Sequence, residues 1–370
     1  ANVPASKKCV AATFAQSLAL AIRPLRCLRE LWMPRSVSYM VSAASLVGAL
    51  VFAGSASAQE FRLRWGHYLG NSPFVQVEKD YAANVEKATN GRVKIDITFA
   101  GGLGKGNELM TLAGRGAIDM ASVVPGYYAD RLLFWKAYQI PFIFNSPKQA
   151  MEISAASYNK LGVFKEELDK QNIQFLFHQP LGEYYLTGKD PNCDNVAGLN
   201  GKKIRSFGAD IPKLHNAVGA VPVSVGVGSV YEALQRGSLD YSFLNRGNIL
   251  SNRLYEPGKY SCGPIMSITG HLIVIGKRTW ARLPDDIKKI MVEEGVKSGQ
   301  EYIRWIDAAE KKAQADAEAK GAVFKPFKAE EMAKWREMAP DMLQSWVDSM
   351  KELGNGDKAE EVAQFWKSMM

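Results

Sequence analysis

Histidine and cysteine are scarce, with four of each in 370 residues. His67, His178, His215 and His271 are scattered, none in an H-x-x-x-H pair and none beside a C-x-x-C, so the usual marks of a zinc centre are missing. Each reads as a structural or hydrogen-bonding histidine, and no metal or cofactor is expected. No G-x-S-x-G elbow and no G-x-x-x-x-G-K-[ST] phosphate loop occurs, and no catalytic residue is assigned. GGLGKG at 101–106 could make an anion-binding nest but lacks the phosphate-loop spacing, and it reads as a flexible loop. Excess charge is also lacking. Of the net +8, residues 1–58 carry +5, which leaves 40 basic against 37 acidic residues and no case for nucleic acid.

Long apolar runs are missing too. The stretch from about Val37 to Ala53 is short for a membrane span, and no later one reaches the roughly 18 uninterrupted apolar residues that spanning needs. With Arg35 before it and Ala56-Ser57-Ala58 after it, this stretch has the parts of an export signal from Met33, cleaved after Ala58. Residues 1–32 are either an upstream translation artefact or part of a longer leader, and 1–58 are set aside from the fold. Export implies the periplasm. Of the cysteines, only Cys193 and Cys262 then remain; in an oxidising compartment they can pair, and two unrelated buried thiols is the alternative.

What is present is an alternation of short apolar runs with amphipathic stretches. FRLRWGHYL (61–69) reads as a strand, 75–89 as a helix, VKIDITFA (93–100) as a strand, 107–114 as a helix ended by glycine, and MASVV (120–124) as a buried strand. This order predicts an α/β fold. RGAID (115–119) and RGSLD (236–240) echo one another, each closing a helix on a glycine and opening a strand beyond an aspartate, so two similarly built lobes are expected. Ligands of open α/β sheets lie beyond the carboxyl ends of strands, which points at 124–127 and at Asn245-Arg246. From Asp285 to Lys320 an Ala-, Glu- and Lys-rich stretch predicts a helix of about 30 residues, roughly 45 Å long and able to bridge both lobes. Its apolar positions include Ile287, Met291, Val296, Tyr302 and Ile306, and its charged face reads as ordinary solvation.

Arg205, in LNGKKIRSFG (199–208), stands where a strand would begin. A guanidinium offers a planar fork to a carboxylate, although an arginine beside Lys202 and Lys203 is more often a solvated surface charge.

The run GLNGKKIRSFG through GAVPVSVGVGSVYEALQRGSLDYSFLN resembles the central signature of the solute-binding proteins of tripartite ATP-independent periplasmic (TRAP) transporters, which include C4-dicarboxylate binders. GGLGKGNEL, IPFIF (140–144) and the helical tail extend the resemblance over the mature chain. It implies a two-lobed periplasmic binding protein fold with hinge strands and a long lobe-bridging helix, 59–182 with 271–310 forming lobe I and 183–270 with 311–370 lobe II. It further implies that Arg205 clamps a carboxylate, that Asn245 hydrogen-bonds the bound acid, and that membrane permease subunits are the partners of a monomeric receptor. The sequence departs from the family where Tyr184 replaces a second arginine in Gly182–Thr187, Leu244 precedes Asn245 in place of glutamate, and Val227 replaces phenylalanine. Such a site has lost cationic capacity, so the expected ligand is a monocarboxylate with an apolar or aromatic body. Tyr68, Tyr127, Tyr184, Phe207 and Phe243 are expected to enclose it, with His67 and Glu108 completing the predicted cleft set. C4-dicarboxylate or 2-oxo acid binding, a periplasmic ligand sensor, and a secreted enzyme on a two-lobed scaffold are the alternatives.

Overall fold

A computed structural model describes residues 59–266 and 270–370; the export-signal reading of 1–58 lies outside them. In β1 (Phe61–Gly66) Leu63 and Trp65 are buried while Arg62 and Arg64 face solvent, the alternation that a half-buried strand requires. The remaining strands are β2 (Val93–Thr98), β3 (Met120–Val123), β4 (Ile173–Pro180), β5 (Tyr184–Gly188) and β6 (Lys203–Ser206). They continue with β7 (Val221–Ser224), β8 (Tyr241–Asn245), β9 (Tyr260–Met266), β10 (Gly270–Gly276) and β11 (Val323–Pro326).

Two sheets result, ordered β2-β1-β3-β10-β4 and β11-β9-β5-β8-β6-β7. β1 pairs in parallel with β2 and β3, and β10 runs antiparallel to β3 and β4. In the second sheet β5 is antiparallel to β8 and β9, while β6 runs parallel to β7 and β8. The chain passes from the first sheet to the second between β4 and β5 and returns between β9 and β10, two crossings that join strand to strand, while a third, from β10 to β11, runs through the helix Asp285–Glu318. The first two are the hinge strands of a two-lobed α/β fold.

The repeated turn is built the same way in both sheets. Gly116 and Gly237 each take φ of +72°, the left-handed conformation that closes a helix without a Cβ clash. Asp119 then accepts from the backbone N–H of Arg64 at 2.9 Å, and Asp240 from that of Lys203 at 2.7 Å. Each aspartate thereby fastens its own strand to the neighbouring parallel strand, which explains why the echo includes it.

The first sheet is covered on both faces. Val123 and Val274 join a core with Trp135, Tyr138, Phe164, Trp346 and Trp366, whereas Met120 and Ile273 pack with Trp65, Tyr81 and Met291 on the opposite face. The second sheet has its own core around Leu186, Ile204, Tyr241, Phe243 and Trp335. A single helix, Asp285–Glu318, serves both: Ile287 and Met291 lie against the first sheet, Tyr302 and Ile306 in the second core. Its 34 residues span about 50 Å. Val296, expected on the apolar face, is 56% exposed, because the stripe rotates past it between the two cores.

After β11 the chain returns to the first core. Asp341 caps the helix Met342–Glu352 by accepting from the N–H of Gln344 at 2.9 Å. That helix and Gly356–Met369 place Trp346 and Trp366 side by side, 6.2 Å apart and nearly parallel, among Phe134, Tyr138 and Phe164. Cys193 and Cys262 are bonded, with sulfurs 2.03 Å apart and Cα atoms 5.5 Å apart. The bridge ties the loop after β5 to β9.

Candidate functional site

The site begins at β6. Its register, with Ile204 beside Tyr241 and Pro222, turns Arg205 inward, where it is 1% exposed. The guanidinium Nε donates to the Val225 carbonyl at 3.0 Å, and Nη1 to the Phe243 carbonyl at 3.1 Å. Nη2 lies 3.4 Å from the Tyr127 hydroxyl, and the cation sits 4.7 Å from the centre of the Phe207 ring. Backbone carbonyls and rings thus hold the fork, and none of the ion pairs among the described residues includes it. A buried cation without a counter-ion is costly, so this geometry is set up to receive an anion.

Arg205 lies in the wall of a narrow inner pocket of ≈ 10 Å³, lined also by Tyr68, Val124, Tyr127, Tyr184, Phe207, Val227, Leu244 and Asn248. Tyr68, Tyr127, Phe207 and Val227 are shared with a larger groove of ≈ 750 Å³ that runs between Gly101–Asn107 and Ser224–Ser229. The inner end is therefore aromatic and apolar around one guanidinium, and the groove beyond it contributes one cation, Lys105.

Of the residues that the sequence nominated, Arg205, Tyr68, Tyr127, Tyr184 and Phe207 come together on this wall. Four stand elsewhere. Phe243 is buried behind it, with its ring against Tyr184 at 5.1 Å and His215 at 5.0 Å, and offers only its carbonyl to Arg205. Glu108 is exposed and accepts from the N–H of Lys105 at 2.7 Å, closing its own loop. Asn245 is buried with both amide groups engaged: Nδ2 donates to Glu310 at 2.6 Å, and Oδ1 accepts from Asn248 at 2.5 Å. Asn248, one helical turn further on, is the asparagine that reaches the pocket lining.

His67 is fully buried and belongs to a network one layer behind the pocket. Its Nδ1 accepts from the N–H of Leu69 at 3.0 Å, which fixes the ring proton on Nε2, and Nε2 lies 3.1 Å from Glu78 Oε1. His271 Nε2 approaches the same oxygen at 3.0 Å, and the Gln179 amide, turned to satisfy both partners, donates to Glu78 at 3.0 and 3.3 Å. Burial alone would raise the Glu78 carboxyl, but the hydrogen bonds from His271 and His67 outweigh it and hold it at about 2. Burial lowers the His67 imidazole, and its partner Glu78 only partly offsets this. His67, Glu78 and His271 are near enough to suggest a metal site, yet the proton fixed on His67 Nε2 occupies the lone pair that an ion would need. The cluster is closed by hydrogen bonds.

Glu310 forms a second buried anchor, on the long helix. It accepts from Asn245 and from the N–H groups of Arg246 at 3.0 Å and Gly247 at 3.1 Å. A Cβ at Gly182 would fall 2.6 Å from its carboxyl carbon, so any side chain where the crossing after β4 meets this helix would displace the buried carboxylate. Burial pushes the Glu310 carboxyl up, and the donors around it counteract this only in part.

The family model for bacterial extracellular solute-binding protein, family 7, matches residues 67–349. A C4-dicarboxylate-binding periplasmic protein of Rhodobacter capsulatus is 24% identical over 82% of this chain and 91% of its own. Among solved structures, an extracytoplasmic solute receptor of Bordetella pertussis that binds pyroglutamic acid has a TM-score of 0.75 at 18% identity, covering 83% of this chain and 99% of its own. A TRAP solute-binding protein of Rhodoferax ferrireducens in complex with copurified benzoate has a TM-score of 0.76 at 21% identity, covering 83% and 97%. These are transport receptors, not enzymes. With the match extending across both sheets and the bridging helix, the chain belongs to bacterial extracellular solute-binding protein family 7.

Proposed function

We propose that this protein is the receptor of a TRAP transporter that captures a small organic monocarboxylate, with an apolar or aromatic body, and delivers it as a monomer to membrane permease subunits. The observation that carries the reading is Arg205, a buried guanidinium held by carbonyls and rings at the inner end of an aromatic pocket. Its charge is met by the carboxylate of the ligand, while the body of the acid extends between Tyr68, Tyr127, Phe207 and Val227 into the groove. The acids held by the Bordetella and Rhodoferax proteins, pyroglutamic acid and benzoate, are both monocarboxylates, and benzoate has the aromatic body as well, which supports the reading.

The lobes follow the packing of the cores. We place residues 342–369 with the first lobe, because their apolar side chains share its core, whereas the sequence reading groups them with the second. Tyr68 and Tyr127 come from the first lobe, Arg205, Phe207 and Asn248 from the second, so a bound acid contacts both and favours closure about the strand crossings.

A dicarboxylate is the second reading. It draws on Lys105 in the groove, which could meet a distal acidic group, and on the Rhodobacter relative. Thermal unfolding against a panel of organic acids separates the two, because a ligand at 100 times its Kd stabilises by about 2.7 kcal/mol. Aromatic and branched monocarboxylates are expected to raise Tm and C4-dicarboxylates to leave it unchanged. A rise with dicarboxylates alone would select the second reading, and no rise with any acid would refute both.

A further inference from the structure

The Tyr68 side chain ties the pocket lining to the buried Glu78 cluster. Its hydroxyl lies 3.1 Å from His271 Nδ1, and the opposite ring nitrogen, Nε2, lies 3.0 Å from Glu78 Oε1. Glu78 also receives His67 and Gln179, and burial pushes the Tyr68 phenol up, so that it keeps its proton. A carboxylate can only accept, which places a proton on His271 Nε2. The Tyr68 O–H then faces Nδ1, the other ring nitrogen, and is the donor that satisfies it wherever that nitrogen carries no proton. The groups that face His271 are Glu78 from the helix Gln76–Ala88, His67 and Tyr68 from the end of β1, and His178 and Gln179 from β4. Tyr127 is arranged in the opposite sense. It accepts from Arg205 Nη2, which leaves its own proton for the pocket.

The inner pocket therefore has a fixed polarity: Arg205 and Tyr127 donate, and Tyr68 presents only lone pairs. The rings of Tyr68 and Tyr127 meet edge to face, 6.1 Å apart, and both residues line the inner pocket with Arg205. We infer that the Glu78–His271–Tyr68 relay selects acids that carry a hydrogen-bond donor on the carbon next to the carboxylate, a 2-hydroxy or 2-N–H acid, over the 2-oxo acid of the same skeleton. The inference rests on the monocarboxylate reading and deepens it. A 2-oxo group would set its lone pairs against those of Tyr68, whereas a hydroxyl or N–H completes the chain of donors that ends on Glu78. Tyr68 is the specificity-determining contact, and His271 and Glu78 are positioning residues that act through it.

Calorimetry at pH 8 with mandelate against phenylglyoxylate, 2-hydroxy- against 2-oxo-4-methylpentanoate, and benzoate as an acid with neither group provides the test. The hydroxy acid of each pair is expected to bind at least tenfold tighter, and Tyr68→Phe is expected to bring each pair within about twofold of one another. Equal affinities in the wild-type protein, a preference for the 2-oxo acids, or a preference undiminished in Tyr68→Phe would overturn the relay and leave the Arg205 clamp standing. Failure of all five acids to bind would overturn the clamp and the relay together.

Discussion

Glu310, deep within the long helix, accepts a 2.6 Å hydrogen bond from the side-chain amide of Asn245 at the end of β8. With the N–H groups of Arg246 and Gly247 on the same carboxylate, the helix that bridges the lobes holds the strand end that carries Asn248 to the pocket. Glu310→Ala leaves these buried donors unmet. A loss of about 3 kcal/mol in urea unfolding is expected, together with weaker acid binding as Asn248 loses its support. An unchanged unfolding midpoint would show that the anchor is dispensable.

Arg205→Ala removes the only cation that lines the inner pocket among the described residues. Breaking a buried ion pair costs about 3–5 kcal/mol, against about −8.2 kcal/mol for a micromolar ligand. Calorimetry should therefore show affinity reduced by on the order of a hundredfold or more. The folded state is not expected to suffer in the same measure, since the ligand-free protein is relieved of a buried charge. Affinity within threefold of the wild type would exclude the clamp.

The two sheets respond to acid through residues remote from Arg205's seat as well as near it. Burial depresses His178 to about 3, helped by His271, and depresses His215 to about 3, helped by the Arg205 charge. Their ordinary value is near 6.5, so below that pH the unfolded chain takes up protons that the folded chain refuses. Stability then falls by about 1.4 kcal/mol per pH unit for each histidine. Glu167 works in the opposite direction. Burial raises it to about 7 despite the backbone donors of Trp135 and Phe134, so the folded form holds its proton and gains stability as pH falls from 7 towards 4.5. Below about 4.5 that offset ends, and Glu78, held at about 2, adds to the loss. Urea midpoints should decline gently between pH 7 and pH 5 and steeply below. His215→Leu, which removes an imidazole with both ring nitrogens unpartnered, should flatten the decline by about one proton. A slope identical to wild type would contradict the assignment.

The Cys193–Cys262 bridge closes 69 residues of chain separation at a distance from the pocket lining. Loop closure of this size is worth about 2–4 kcal/mol through the unfolded state. The Cys193→Ala/Cys262→Ala protein should melt several degrees lower and bind acids with unchanged affinity in the same thermal-shift panel. Equal melting temperatures would mean that the bridge adds nothing to the packing.

Much of the architecture is readable from local pattern. The RGAID and RGSLD echo locates two equivalent turns because glycine and aspartate each answer a backbone requirement within the segment itself. Arg205 is not legible from its own surroundings, where it reads as a solvated charge beside Lys202 and Lys203; only the family resemblance singles it out, and its inward position on β6 comes from the strand pairing. Nor is the network behind the pocket legible. His67, Glu78 and His271 are unexceptional one at a time, and only the pairing of β10 with β3 and β4 brings His271 to residues almost two hundred positions away. Glu310 hides in the same way, one acid among many on a charged helix, and only the close approach at Gly182 and Gly247 reveals it as buried. Asn245 and Asn248 sit one turn apart, and strand-end reasoning reaches the first but cannot tell which amide is spent on the interior.

Trp346 and Trp366, from the helices Met342–Glu352 and Gly356–Met369, complete a core whose other walls come from residues 109–175 and from β10. During synthesis this core keeps its aromatic interior uncovered until residues 342–369 have left the ribosome, long after its other walls have emerged.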